Sequence, residues 1–220
     1  MTRAISPSSL ARIHACPASA ALPHAPDTTS IAAEYGRAVH AGIARDIVTG
    51  TISKPGVDIR AEVKLAHDWR YDRSRFIHLP GEREYGELAP TEIAGTIDCI
   101  EIVRAIGAHT KVTVIDWKTG RVEDHSAQLR WYALAAARLF AVATITCRVV
   151  YVGQRHRTTA NDAQWTLDAI DLDDELLVIG GIARTVRTLR ALPTLTASDV
   201  HPGDHCRYCP ALTHCPKDPS

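Results

Sequence analysis

From Ile31 to Val48 the apolar positions Ala32, Val39, Ile43 and Ile47 return at helical spacing and predict a helix. The middle of the chain changes period. Ile93 to Val103 alternates as a strand and Val112 to Ile115 as a half-buried partner, with a glycine-containing link from Ala105 to His109 able to turn one back on the other as a hairpin. Thr119-Gly120 ends the second strand. His125 to Phe140 returns to helical spacing, Ile145 to Val152 alternates again, and Gln164 to Ile170 reads as an adjacent strand reached through a polar loop. Asp171 to Leu192 closes the pattern as a helix, with Asp173, Asp174 and Glu175 near its positive end and Pro193 just beyond it.

The remaining segments are shorter. Ser6-Pro7-Ser8-Ser9 opens a short helix, with Ser6 as N-cap and Pro7 at its first position, which delivers Cys16; Cys16-Pro17 closes it, and a loop runs on to Ser30. Ile59 to Ile77 reads as helical, with Arg60, Lys64, Arg70, Arg73 and Arg75 interleaved with Trp69, Tyr71 and Phe76. That mixture suits a solvated face and a single-stranded nucleic-acid groove equally well. Pro80-Gly81 marks a turn, and Glu82 to Leu88 reads as a first strand carrying Glu84. Strands interspersed with helices predict an α/β protein with a central mixed sheet.

With 220 residues and 45% hydrophobic content, one sizeable core is affordable, and one main domain is the simplest count. Formal net charge is zero, so no bulk basic field attracts nucleic acid, and any such site is a local groove. Arg3, Pro7, Arg12 and His14 interrupt the first fifteen residues, which excludes a signal peptide there, and no run is long and apolar enough for a membrane span. A soluble, cytoplasmic protein is expected. In a reducing compartment, six cysteines call for metal or burial rather than disulfides.

The chemistry concentrates at Val114-Ile115-Asp116-Trp117-Lys118-Thr119-Gly120. Side chains two apart share a strand face, so Asp116 and Lys118 stand together at a strand end. A carboxylate there can hold a hard divalent cation, while the ammonium steadies a water or a developing phosphoryl charge. Alone, Asp-x-Lys is more often an exposed ion pair. Asp98 changes the balance, because it sits among Ile97, Cys99 and Ile100 on the preceding strand, where a carboxylate is costly unless paired or metal-bound. Gln128 and Tyr132 lie one helical turn apart and can brace the lysine or touch a phosphate, and His40 borders the buried face of its helix. Gly36 costs that helix roughly 1 kcal/mol against alanine, which implies a close approach of backbone or substrate.

Taken together, Gly36-x-x-x-His40, Glu84, Gly95-Thr96-Ile97-Asp98, Asp116-Trp117-Lys118-Thr119-Gly120 and Gln128-x-x-x-Tyr132, in this order, resemble the PD-(D/E)xK nucleases in the branch similar to the RecB nuclease domain. Ile97 stands where the family's proline would be, and Asp116 where glutamate is common. The resemblance implies a restriction-endonuclease-like core in which His40, Asp98, Asp116 and the Trp117 carbonyl hold Mg²⁺ or Mn²⁺. Lys118 would be catalytic, with Glu84, Gln128 and Tyr132 accessory. The implied substrate is DNA, single-stranded or at frayed ends, cut exonucleolytically in recombination, repair or phage replication. A catalytically silent DNA-binding or scaffold protein on the same fold is the alternative.

Cys206-Arg207-Tyr208-Cys209-Pro210-Ala211-Leu212-Thr213-His214-Cys215 is a metal-binding spacing. On its own it fits a zinc site completed by His201, His205 or His214, or, with Cys16 as fourth thiolate, a [4Fe–4S] cluster. The resemblance extends to CRISPR-adaptation-type and AddB-type nucleases, which place one cysteine before the core and a similar run after it, and it implies the cluster on Cys16, Cys206, Cys209 and Cys215. Such a clip would join an N-terminal arm (1–30) to a C-terminal cap (196–220) around a nuclease core (31–195). Cys99 and Cys147 read as small buried hydrophobes.

Overall fold

A computed structural model describes residues 5–25, 30–78, 85–104, 110–152 and 163–217. Its elements in chain order are α1 (Leu10–Ala15), α2 (Ile31–Val48), β1 (Val57–Asp68), β2 (Arg73–Phe76), β3 (Glu92–Val103), β4 (Lys111–Lys118), α3 (Ser126–Phe140), β5 (Ile145–Tyr151), β6 (Ala163–Leu167) and α4 (Ala169–Arg190). The six strands form one sheet in the order β2-β1-β3-β4-β5-β6. β4 and β5 are parallel, joined by the α3 crossover, and every other neighbouring pair is antiparallel. The result is an α/β fold with a mixed sheet flanked by helices, as the sequence predicts.

Helix α2 spans the predicted residues, capped by Ser30, whose hydroxyl accepts from the Ala33 amide. The β3–β4 pairing is the expected one, Cys99 lying opposite Ile115, although the link at 105–109 falls outside the described residues. Pro7–Ser9 forms a 3₁₀ turn with Ser6 at its N-cap position and runs directly into α1, which ends at Cys16.

The segment from Ile59 to Ile77 is not helical. It forms β1 and β2, a hairpin in which Leu65 pairs with Phe76. Its Arg, Lys, Glu, Leu and Ala residues favour helix by propensity, but Ile59, Ala61, Val63 and Leu65 recur every second residue, and pairing along the whole of β3 satisfies the backbone. Several residues of the proposed stacking groove are taken up within the fold, while Tyr71 stays exposed with Arg70 stacked over it. Arg60 pairs with Asp58 at 2.7 Å and Arg75 with Glu92 at 2.6 Å, Trp69 is buried beneath Arg184, and Phe76 meets Phe140 edge to face. The strand expected over 82–88 is absent at Tyr85–Leu88, and Glu84 lies outside the described residues.

The main core lies between the sheet and α1, α3 and α4, with Trp131, Leu129, Ile97, Ile100 and Leu172 fully buried. A smaller cluster on the opposite face packs Ile43 and Ile47 of α2 on Cys99, Ile115 and Trp117. Residues Ile59 and Ala61 join this second cluster, yet Val63 and Leu65 join the main core; in β3, Ile97 and Cys99 divide the same way. Both strands therefore exchange faces at the same level. Glu62, in the left-handed region at φ +50°, is the residue at which β1 turns over.

Candidate metal centre

Regular alternation in β4 points Val112 and Val114 into the core beneath α3 and carries Asp116 and Lys118 to the same side at the strand's end. Asp116 is only 1% exposed. Lys118 Nζ lies 2.7 Å from Asp116 Oδ2 as an ion pair. Gln128, in the first turn of α3, ties the pair together: its Oε1 accepts from Lys118 Nζ at 3.2 Å, and its Nε2 donates to Asp116 Oδ1 at 3.1 Å. The same amide nitrogen donates to Tyr132 Oη at 3.2 Å, and Tyr132 donates in turn to the Thr96 carbonyl at 2.6 Å. The turn-spaced pair thus links α3 to both active strands.

Asp98 enters from β3. Its Oδ2 accepts the Trp117 amide at 2.8 Å, which fixes the carboxylate against β4. Its Oδ1 lies 3.3 Å from His40 Nδ1. His40 is one turn before Ile43 on the buried side of α2, and Gly36 lets the helix approach β4 closely: a Cβ there would sit 3.1 Å from Thr119 Oγ1. The close approach inferred from Gly36 is therefore to the Thr119 side chain.

Electrostatics mark the same place. Burial, and after it the charge of Asp98, pushes Asp116 up to about 6, with Lys118 and His40 pulling the other way. The hydrogen bond to Asp98 raises His40 against the opposing effect of burial, and burial raises the Tyr132 phenol well above its ordinary value. Two carboxylates crowded in a buried corner, with one lysine between them and solvent, have unspent negative potential. That is what a divalent cation satisfies.

Sequence reasoning missed Glu62. Ala61 pairs with Cys99 and Val63 with Ile97, so Glu62 lies opposite Asp98, and ligand atoms of His40, Glu62 and Asp98 fall within 4.8 Å of one another. Its signal was the alternation of 59–65: read as a strand beside β3, it places this glutamate at the site. Of the residues predicted, the structure gathers His40, Asp98, Asp116, Lys118, Gln128 and Tyr132. Trp117 contributes its amide to Asp98 and its ring to the cluster under α2.

The cysteines fall into two groups. Burial pushes Cys99 and Cys147 up to about 12, which makes them inert packing groups, as expected. Cys16, Cys206, Cys209 and Cys215 instead line one cavity of about 150 Å³ between the N-terminal arm and the C-terminal segment. Cys16 is buried with Ala18 and Val200, and the amides of His201 and Gly203 each approach a sulfur, of Cys16 and Cys206 respectively, at 3.4 Å. Among the described residues, no three of these sulfurs come within 4.8 Å of one another.

Residues 59–216 match the family model described as the PD-(D/E)XK nuclease superfamily. No curated protein matches the chain. A solved structure titled "Crystal structure of SSO0001" is similar at 20% identity, over 87% of this chain and 73% of that one, with a TM-score of 0.42.

Proposed function

The chain belongs to the PD-(D/E)XK nuclease superfamily, and from that membership we propose that it is a metal-dependent exonuclease acting on single-stranded or frayed DNA ends, in recombination, repair or phage replication. The observation that carries the reading is the buried Asp116–Lys118 pair, locked by Gln128 and set beside Asp98. An isolated surface ion pair needs none of this apparatus.

In this reading His40, Asp98, Asp116 and the Trp117 carbonyl hold Mg²⁺ or Mn²⁺, with Glu62 beside them on the His40 side and Glu84 accessory. The fit rests on the buried carboxylate of Asp116 and on the facing carboxylates of Asp98 and Glu62 beside His40. When bound, the cation supplies positive charge to the scissile phosphate and lowers the pKa of a water. Lys118 orients the attacking water or stabilises the crowded phosphate, and its Nζ is already held at 3.2 Å by Gln128. Tyr132 holds Gln128 in turn, so acid and base stay registered across β3, β4 and α3.

Residues 1–220 form a single nuclease domain in this proposal, with Cys16, Cys206, Cys209 and Cys215 holding a [4Fe–4S] cluster as a structural clip. Their common cavity and the amide donors to two sulfurs support an anionic thiolate set.

The test is cleavage of end-labelled single- and double-stranded DNA with Mn²⁺ or Mg²⁺, wild type against Lys118→Ala at matched folding and iron content. Metal-dependent loss of label from wild type alone is expected. Binding without cutting under either cation would leave a DNA-binding protein in place of the enzyme.

A further inference from the structure

Helix α4 buries Leu172, Ile179, Ala183 and Val186 against the core, yet its outward face is not polar throughout. Ile170 and Leu177 stand 74% and 70% exposed, one heptad apart. They belong to a row formed by Ile170, Asp174, Leu177, Gly181, Arg184 and Thr188, all exposed except the half-buried Gly181. Steps of four and three residues alternate along it, which is the spacing of a seam against a second helix. The capping box of Asp168 and Asp171 holds the first turn, and with it Ile170, in helical register.

Gly181 shows what that second helix must bring. Glycine weakens a helix interior. Its neighbour Gly180 has a reason within the chain, since a Cβ there would lie 3.2 Å from Arg184 Nη1 and 3.6 Å from Trp69 Cε3. A Cβ on Gly181 would meet nothing within 4 Å. Packing among the described residues therefore does not call for glycine at 181, whereas a bulky side chain arriving from outside does.

Reversed, the row is its own complement. Two copies of α4 laid antiparallel about a two-fold axis set Leu177 of each copy on Gly181 of the other, Asp174 against Arg184, and Ile170 against Thr188. A knob meets a hole and a carboxylate meets a guanidinium, each twice by symmetry. Parallel pairing in register would instead set Asp174 on Asp174 and Arg184 on Arg184, which like charge disfavours. Arg184 also rests over the Trp69 ring at 5.6 Å, which holds its long side chain at the helix surface.

We propose that the outward face of α4 is a homodimer interface, in which two copies of this chain join through antiparallel α4 helices. From Ile170 to Thr188 the seam runs for about 27 Å of helix axis. A single helix pair lies at the small end of specific interfaces, so the dimer is reversible and depends on protein concentration. The row shares no residue with the metal centre, and the proposal stands apart from the nuclease reading.

The test is sedimentation velocity of the full-length protein from about 1 µM to about 1 mM, the range in which a weak complex assembles. Wild type is expected to pass from monomer to dimer. Leu177→Glu and Gly181→Leu, one removing the knob and the other filling the hole, should each raise the dissociation constant at least tenfold without lowering the Tm of the monomer. Asp174→Arg and Arg184→Asp each set like charges opposite one another, so each alone should be monomeric. Mixed in equal amounts they should form a heterodimer, because both contacts are then between opposite charges. A wild type that stays monomeric at about 1 mM overturns the proposal. A dimer unaffected by Leu177→Glu and Gly181→Leu places the interface elsewhere and overturns it too. Failure of the two charge variants to pair, with both folded by circular dichroism, overturns the antiparallel register.

Discussion

Glu62 and Asp98 face one another across β1 and β3 at the level where both strands exchange faces, with Glu62 held at φ +50°. A non-glycine residue there costs about 1–2 kcal/mol, and placing a second carboxylate near Asp98 adds repulsion. Both are offset when a cation binds between them and His40. Glu62→Gln is therefore expected to weaken Mn²⁺ binding by about tenfold and to shrink the Mn²⁺-induced rise in Tm. Calorimetric titration with Mn²⁺ and thermal melts with and without it decide the matter. An unchanged affinity removes Glu62 from the site.

Gln128 touches both members of the Asp116–Lys118 pair. Gln128→Ala removes the amide that donates to Asp116, and a carboxylate deprived of a donor binds its proton more tightly. Asp116, already at about 6, should titrate higher. Because the cation needs the carboxylate form, the acid limb of the rate profile should move to higher pH, along with a loss of kcat of about 10–100-fold. A lower rate with an unshifted acid limb would make Gln128 a packing residue only.

Much of this centre was legible because its parts obey short-range rules. Asp116 and Lys118 are two apart on a strand, Gln128 and Tyr132 four apart on a helix, and both periods fix relative direction without tertiary information. The 31–48 helix was legible for the same reason, its apolar spacing agreeing with its cap at Ser30. Glu62 was not, because the helix-favouring Arg, Lys, Glu, Leu and Ala residues of 59–77 mask the alternation at Ile59, Ala61, Val63 and Leu65. Register across a sheet is also a long-range property: Glu62 and Asp98 become neighbours only once β1 is known to pair with β3. The same separation holds for Cys16 and the run Cys206, Cys209 and Cys215: nothing local in either segment points to the other, and only the family resemblance joins them.

Gly95 shows what the N-terminal arm leans on. A Cβ at this position would lie 2.5 Å from Pro7 Cγ and 3.1 Å from Trp131 Cζ3, so the proline ring sits directly on the strand backbone. Gly95→Ala is expected to cost about 1–3 kcal/mol by forcing the arm off β3. Gly42→Ala, on α2 with nothing nearer than 4.0 Å, should be neutral or stabilise by up to about 1 kcal/mol. Denaturant melts of the two variants give the contrast, and equal effects would contradict the packing described.

Glu175 supplies a pH dependence independent of the metal centre. It is buried on α4, 3.4 Å from Arg130 Nε, and burial raises it to about 7 despite that partner. A carboxyl whose folded pKa lies above its unfolded value near 4.5 binds its proton more tightly in the native state. Its stabilising contribution is therefore complete below the unfolded value and is lost as pH rises through about 7. Glutamine keeps the shape and cannot ionise. Glu175→Gln should accordingly match wild type in stability near pH 4.5, leaving other groups equally affected in both, and exceed it by about 1–3 kcal/mol at pH 8. Denaturant unfolding of both proteins at the two pH values measures the difference. A variant less stable than wild type at pH 8 would mean that the ion pair with Arg130 outweighs the burial of the charge.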